Sequence, residues 1–531
     1  MGLPFVIATL ARRGLLAPGG PVRVAAQLNA LRRWGFSLAG ELRQAAARDP
    51  ERIAVVDEHG TGTSYATLLD RSERLARGLR SGLGVRGGDR VGLLCRNHTG
   101  LVEAMVATTL LGADAVLVNT GLSAGQLATV AEEQRLRVLV HDDEFADRIP
   151  DLATAGEADH ALAGRGAQRV DERGLADLVA GATPDTLVPP ARGGRTIVLT
   201  SGTTGAPKGA RRPTPSGFGP LVSIIDRIPL RVHDRVLIAA PLFHTWGYAA
   251  LQVSFALRAT IVLHRRFDPA ATVAALTGQR CDALFAVPVM VQRLLEVPPP
   301  RPRPPLRVVA VSGSALPGAV SHAFMDSYGD VLYNLYGSTE VSWASIATPA
   351  DLRAHPATAG RPPHGTRVAI VDGAGQPVAP GRVGRILVGN EMLFEGYTSG
   401  AGRAPHDGLL DTGDLGRLDT EGLLFVDGRA DDMIVSGGEN VFPSEVEQLL
   451  ARLPQVREVA VIGVPDDTYG QRLAAFLSLH PGESLDPEAV REYVRHHLAR
   501  FSVPRDVSFV AALPRNATGK VVTRELRRHL D

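Results

Sequence analysis

Cysteine is nearly absent. The chain has two in 531 residues, Cys95 and Cys281, far apart and each inside an apolar segment. Two thiols so placed offer neither a disulfide framework nor metal-ligand spacing. They read as small buried hydrophobes in reducing surroundings. An excess of one charge is missing too. The 57 Lys and Arg balance 56 Asp and Glu to a net +1, which removes the electrostatic case for a nucleic-acid partner. No apolar run reaches the roughly 20 residues of a membrane span. The apolar opening, Gly2 to Leu10, has Arg12 and Arg13 behind it, the reverse of a secretory signal. No internal repeat is visible. A composition 44% hydrophobic and 21% charged is that of a cytoplasmic globular protein with material for more than one domain.

The N-terminal extension, 1–36, reads as two short helices, around 3–16 and 22–34. Pro18-Gly19-Gly20-Pro21 breaks them. With Arg12, Arg13, Arg23, Arg32 and Arg33 among apolar residues, they allow a peripheral contact with the inner membrane face. Packing on the protein's own surface, or on a second subunit as a homodimer, is the rival and is preferred. From 37 the pattern alternates helix and strand, which implies α/β architecture with mostly parallel sheets covered by helices. Residues 183–195 read as a connector, and the proline-dense stretch 298–305 as a stiff surface loop. From about 358 to 427 short strands with glycine turns suggest a small β-barrel. Residues 428–531 read as a separate α+β domain, with helices at 443–452 and 486–499 and strands at 457–464, 473–480 and 507–510.

One stretch organises the large domain, 37–427. Thr196-Ile197-Val198-Leu199 is a short buried strand. Thr200-Ser201-Gly202-Thr203-Thr204-Gly205-Ala206-Pro207-Lys208-Gly209 follows, with four hydroxyls, three glycines and a lysine. Glycines permit close backbone approach, successive N–H groups form an anion nest, and Lys208 adds a cation. That chemistry suits a polyphosphate. It is not a Walker A loop, because Pro207 precedes the lysine and Gly209-Ala210-Arg211-Arg212-Pro213 follows it. The stretch closely resembles the phosphate loop of the adenylate-forming superfamily, which includes acyl-CoA synthetases, luciferases and peptide-synthetase adenylation domains.

Further motifs follow in that family's order, from about residue 40 to 525. Pro241-Leu242-Phe243-His244-Thr245-Trp246-Gly247 sits after a strand, at the edge where α/β ligand sites lie. The resemblance puts His244 near the reacting carboxyl group. Ser312-Gly313-Ser314-Ala315-Leu316 is small enough to admit a flat ring, and the resemblance assigns it to adenine. In Asn334-Leu335-Tyr336-Gly337-Ser338-Thr339-Glu340, Tyr336 offers a stacking face, Thr339 a donor, and Glu340 a hard oxygen suited to Mg²⁺. The resemblance gives Thr339 the α-phosphate and Glu340 the metal, with Thr200 beside it. Asp411-Thr412-Gly413-Asp414, Phe425 and Gly428-Arg429-Ala430-Asp431-Asp432 form the next group. A carboxylate suits the ribose hydroxyls, and the resemblance names Asp414, assisted by Arg429, with Asp431 as the hinge to the mobile domain. Ser436-Gly437-Gly438-Glu439-Asn440-Val441-Phe442-Pro443 would line the CoA channel through Gly437, Gly438, Glu439 and Phe442. Pro514-Arg515-Asn516-Ala517-Thr518-Gly519-Lys520-Val521 matches the catalytic-lysine motif.

The resemblance therefore implies a two-step ligase using ATP, Mg²⁺, CoA and a small carboxylic acid. The fatty and medium-chain acyl-CoA synthetase branch is the nearer pattern at 428–445. Lys520, Glu340, Thr203 and His244 would be catalytic. The nucleotide would meet Thr200, Ser201, Gly202, Thr203, Thr204, Gly205, Lys208, Gly313, Ser314, Ala315, Asn334, Tyr336, Gly337, Ser338, Thr339, Asp414, Phe425, Arg429 and Lys520. The acyl pocket is expected from His244, Trp246, Gly247, Val287, Met290, Val291, Val341 and Trp343. No cation sits among these and Glu340 is already assigned, so an apolar acyl tail fits better than an amino acid, whose ammonium wants a carboxylate partner. The two tryptophans equally suit an aryl acid. Loading of a carrier protein, a luciferase-like oxygenation and a non-catalytic binding role are the rivals.

Overall fold

The computed structural model describes residues 2–149, 167–200, 207–400, 405–436, 439–466 and 470–530. Among these residues no helix is long and apolar enough to cross a membrane. The α/β expectation holds. Two mostly parallel sheets lie in the large domain, one of eight strands and one of six. The eight-stranded sheet runs parallel through Leu332–Tyr336, Val308–Val311, Ala283–Ala286, Arg235–Ile238, Thr260–Leu263 and Ile53–Val56. Antiparallel strands Ser345–Ala347 and Gly62–Ser64 close its two edges. Its strands are apolar on both faces, as a helix-covered parallel sheet requires. Val308–Val311 and Ala283–Ala286 are buried throughout.

Local chemistry fixes the helix ends. The Ser64 hydroxyl accepts from the Thr67 N–H at the start of Tyr65–Leu83. Gly84, at φ 65°, ends that helix in the left-handed conformation that glycine adopts without a Cβ clash. Ser123 and Gln126 form a reciprocal capping box ahead of Ala124–Glu133. Each such cap contributes about 1 kcal/mol.

Three differences from the sequence expectations bear on the site. First, Lys208–Arg212 is a strand, antiparallel to Thr196–Thr200 with Thr200 opposite Lys208. The phosphate loop is therefore flanked by two paired strands, its residues 201–206 lying outside the described residues. Second, the barrel is an open four-stranded antiparallel sheet, Arg367–Val371, Gly384–Gly389, Leu410–Leu418 and Leu424–Arg429. The edge of the outer strand is spent on residues 359 and 360, just ahead of the first of the four strands, and not on that strand. Leu424 N–H donates to Gly360 O, and Ala359 N–H to Leu424 O, both at 2.8 Å. Third, the Asp411–Asp414 motif lies on the strand Leu410–Leu418, and the strand Leu424–Arg429 runs through the expected boundary at 427/428.

The small domain has cores of its own. Ile434, Val446, Leu450, Leu473 and Val490 form one cluster, and Ile462, Phe476, Leu513 and Leu526 another. Neither contains a residue of the large domain among its buried members.

Candidate active site

Topology gathers the motifs. His244, Val287, Gly313 and Glu340 follow the strands Arg235–Ile238, Ala283–Ala286, Val308–Val311 and Leu332–Tyr336. These four are adjacent and parallel, so the four loops leave one edge of one sheet at its carboxyl ends. That edge is where open α/β sheets bind ligands.

The Leu332–Tyr336 strand and its turn carry most of the polar groups, with Asn334 on the strand itself. Gly337 is required there, since a Cβ would lie 2.4 Å from Ser342 O. Glu340 N–H donates to Ser338 Oγ at 3.2 Å, which folds the turn back on itself. Arg212 Nη1 donates to Thr339 O at 2.7 Å, and the Thr339 and Thr245 hydroxyls meet at 3.0 Å. Burial lowers the Arg212 pKa to about 10, so the guanidinium still holds its proton at neutral pH. Glu340 Oε1 accepts from the Tyr397 hydroxyl at 2.6 Å. Tyr397 arrives there because residues 396–398 pair with the second hairpin strand: Arg211 N–H donates to Gly396 O, and Thr398 N–H to Gly209 O. The Lys208 ammonium lies 5.9 Å above the Tyr397 ring. Arg212 and Tyr397 went unread in the sequence, because only the hairpin brings them to Glu340.

On the neighbouring sheet, the Tyr336 hydroxyl donates to Asp414 Oδ2 at 2.5 Å, and Arg429 lies 3.5 Å from Asp414 Oδ1. Burial raises the Asp414 pKa against the pull of Tyr336, Arg429 and Lys520. Burial and the Asp414 carboxylate both push the Tyr336 phenol up, so it stays the donor. Arg429 also bonds Asp431 Oδ1 at 3.0 Å, at the expected hinge.

Lys520 reaches this cleft from the small domain. Its turn is stiff. Asn516 Oδ1 accepts from the N–H groups of Thr518 and Lys520, both at 3.0 Å, and Arg515 Nη1 donates to Gly519 O at 2.7 Å. Gly519 has φ 82°, and a Cβ there would come 2.9 Å from Val289 Cγ1 and 3.4 Å from Val287 Cγ2. The turn therefore lies against the large domain. Lys520 is itself exposed, and charged groups of both domains act on it. Desolvation lowers its pKa, Arg429 adds to that, and Glu340 and Asp414 oppose it. His244 is pushed down to about 4, by burial first and by Lys520 second. Lys520, His244, Glu340, Asp414 and Arg429 thus share one field. Outside the cleft, Arg457 forms a two-pronged pair with Glu296, at 2.7 and 2.9 Å, across the two domains.

The remaining predicted residues divide. Ser201, Gly202, Thr203, Thr204, Gly205, Gly437 and Gly438 lie outside the described residues. The Thr200 hydroxyl donates to Lys208 O at 3.2 Å, at the mouth of the hairpin. Gly313, at φ 100°, opens the loop in which Ser314 and Ala315 stand exposed. Trp246, Val287 and Trp343 are buried in one core, with Val289 and Met290 packed against it. Gly247 sits where a Cβ would strike Pro241 O. The indole N–H groups are satisfied: Trp246 donates to Ala286 O at 3.0 Å and Trp343 to Thr366 Oγ1 at 2.9 Å. Val291 and Val341 are not in that core. Val291 packs with Leu237, Leu284 and Phe324, and Val341 with Ala359, Ile370 and Ile386. Phe425 takes Arg417 and His355 as ring partners, not the Tyr336–Asp414 pair. Glu439 is exposed on a short strand, and Phe442 lies against Gly428, three residues before the expected hinge Asp431.

Profile comparison matches residues 42–398 to the AMP-binding enzyme family and residues 445–520 to the AMP-binding enzyme C-terminal domain. This chain belongs to the AMP-binding enzyme family. It is 33% identical over 492 residues to a feruloyl-CoA synthase of Amycolatopsis, covering 91% of this chain and 97% of that one. It is 33% identical over 496 residues to a 2-succinylbenzoate–CoA ligase of Geobacillus kaustophilus, covering 92% and 97%. The fold superposes on the o-succinylbenzoate CoA synthetase of Bacillus subtilis, solved with its acyl-adenylate intermediate. The TM-score is 0.77 at 29% identity, covering 92% of this chain and 97% of that one. The class is that of the adenylate-forming acid–thiol ligases. Nothing in these relatives supports the fatty-acid branch expected from residues 428–445, since both are named for aromatic acids.

Proposed function

We propose that this AMP-binding enzyme is an ATP-dependent aryl acid–CoA ligase. The observation that carries the reading is geometric: the loops bearing His244, Gly313 and Glu340 leave the carboxyl ends of adjacent parallel strands, and the turn bearing Lys520 lies against Val287 and Val289 at that edge. In the first half-reaction a carboxylate oxygen attacks the α-phosphorus of ATP. The new O–P bond forms as the α–β bridging P–O bond breaks, and its electrons leave with pyrophosphate. Lys520 brings a positive charge to the oxygens that gain negative charge, and a preorganised charge in a shielded site is the most effective such aid. His244, neutral at working pH, adds no charge to compete with Lys520 and offers a ring nitrogen to the carboxylate. Asp414 takes the ribose hydroxyls, with Tyr336 and Arg429 fixing its two oxygens. Thr339, Lys208 and the 200–209 turn hold the phosphates. In the second half-reaction the thiol of CoA loses its proton to solvent and its sulfur attacks the acyl carbonyl; the S–C bond forms as the mixed-anhydride C–O bond breaks, and AMP leaves with that bond's electrons.

Glu340 fits a magnesium ion. Its Oε1 is oriented by Tyr397, its Oε2 has no donor among the described residues, and the Thr200 hydroxyl is a second hard oxygen. When bound, the ion supplies neutralisation of the phosphate charge.

The acid is aromatic on two grounds. Trp246 and Trp343 lie in one apolar core with Val287, with no cation among the three, and the relatives are named for feruloyl and succinylbenzoyl acids. The test is product detection by mass spectrometry. The protein is incubated with ATP, Mg²⁺ and a panel of hydroxycinnamic, benzoic, arylacetic and straight-chain acids, with and without CoA. Aryl-CoA in the CoA arm is expected. Straight-chain products alone would reverse the acid assignment, and acyl-AMP persisting with CoA present would reassign the acceptor to a carrier protein.

A further inference from the structure

Residues 2–41 lie outside the family match, which begins at residue 42. The relatives are covered over 97% of their length against 91–92% of this chain. These residues form two helices, Leu3–Arg12 (α1) and Pro21–Trp34 (α2), and both are docked on the body of the protein. Arg12 pairs with Asp226 at 2.9 Å, and Arg13 Nε donates to Ile225 O at 2.7 Å. The Phe5 ring stacks on His364 at 4.1 Å. Gln27 bonds Gln44 at 2.6 Å, and Arg43 lies 3.9 Å above the Trp34 ring.

Docking leaves the outer faces uncovered, and their composition is one-sided. Leu3, Pro4, Ile7, Ala8 and Ala11 are exposed along α1, opposite buried Thr9 and Leu10. Val22, Ala25, Ala26 and Leu28 are exposed along α2. Among the described residues, five of the nine large apolar side chains that stand most exposed come from residues 3–28, with Leu3 at 70% and Val22 at 81%. Arg23, Arg32 and Arg33 are exposed on the same helix and have no ion-pair partner among the described residues. The first acidic residue of the chain is Glu41.

We propose that α1 and α2 are a docking surface for an anionic phospholipid bilayer. Apolar side chains exposed beside unpaired arginines are what an interfacial helix presents: the former enter the acyl boundary and the latter meet lipid phosphates. A second copy of this chain is the poorer occupant. A two-fold contact sets the same patch against itself, and here that opposes arginine to arginine, while the carboxylates nearest α2, Asp70 and Glu73, are already paired with Arg74 and Arg43. None of these residues belongs to the cleft, so the surface stands independently of the acid it activates.

The test uses the full chain in co-sedimentation with sucrose-loaded vesicles of phosphatidylcholine alone or of equimolar phosphatidylcholine and phosphatidylglycerol. Binding to the anionic vesicles should be roughly tenfold tighter than to neutral ones at low salt, and should fall as salt screens the arginines. Combined Arg23→Glu, Arg32→Glu and Arg33→Glu should abolish it, as should Leu3→Asp with Val22→Asp, with the circular-dichroism spectrum unchanged. All five positions are exposed, so folding is not at stake. No binding to either vesicle, or equal binding to both, overturns the proposal. A concentration-dependent dimer that the triple arginine variant dissolves overturns it in favour of a second copy.

Discussion

Lys520 is held by its turn and has no ion-pair partner among the described residues. Asn516 and Arg515 fix its backbone, while the ammonium faces Glu340 and Asp414 through the cleft. The charge is thus delivered without being spent on a permanent partner. Lys520→Ala should lower pyrophosphate release by about 10²–10³-fold, the scale of losing one preorganised stabilising group. Thioester formation from supplied acyl-AMP should persist. Equal loss in both half-reactions would refute its assignment to adenylation. His244 makes a second prediction. Its folded pKa is lowered from 6.5 to about 4, while the unfolded residue gains a proton near 6.5. Between those values the unfolded state binds more protons, so stability is full above pH 6.5 and falls as pH drops toward 4. His244→Asn should lose less melting temperature than wild type between pH 7 and 5. Identical acid sensitivity of the two would refute the buried neutral state.

At the scale of elements, the hairpin formed by Thr196–Thr200 and Lys208–Arg212 does more than present a loop. Its second strand carries Arg212 to Thr339 and recruits Tyr397 to Glu340. The strand Val456–Asp466 acts between domains in the same way, through Arg457 on Glu296. Both partners are partly exposed, so the pair is worth about 0.2–1 kcal/mol. That is enough to bias two domain poses of similar energy. Arg457→Ala should slow adenylation by up to about fivefold and leave thioester formation from acyl-AMP unchanged or faster. A drop of equal size in both would show that the pair serves folding instead.

For the whole molecule, the separate cores matter most. A domain with its own buried clusters can move without unfolding, and the expected hinge at Asp431 and the Glu296–Arg457 contact are where such a movement would act. A fragment of residues 432–531 is therefore expected to fold alone, with a cooperative thermal transition followed by circular dichroism. A fragment without such a transition would mean that the small domain borrows stability from the large one.

The motifs and their order were legible because each carries its chemistry in a few adjacent residues: the hydroxyl-glycine-lysine loop at 200–209, the Tyr336–Glu340 turn, Gly519-Lys520. The alternation of helix and strand was legible for the same reason, since the apolar period is local. Other features were not. The strands Lys208–Arg212 and Leu410–Leu418 are rich in glycine and charge, and exist because neighbouring strands satisfy their backbone groups. The barrel failed to close because Ala359 and Gly360 compete for its edge. Arg212, Tyr397, Arg457 and Glu296 gain their roles only from partners distant in sequence. The division of the predicted pocket, with Val291 and Val341 facing other cores, depends on which side of a helix or turn meets which sheet. Sequence alone determined the chemistry this protein brings to its ligands, because bonding groups are set residue by residue. Tertiary structure alone decided which of those groups share a field, because electrostatics and packing act across space.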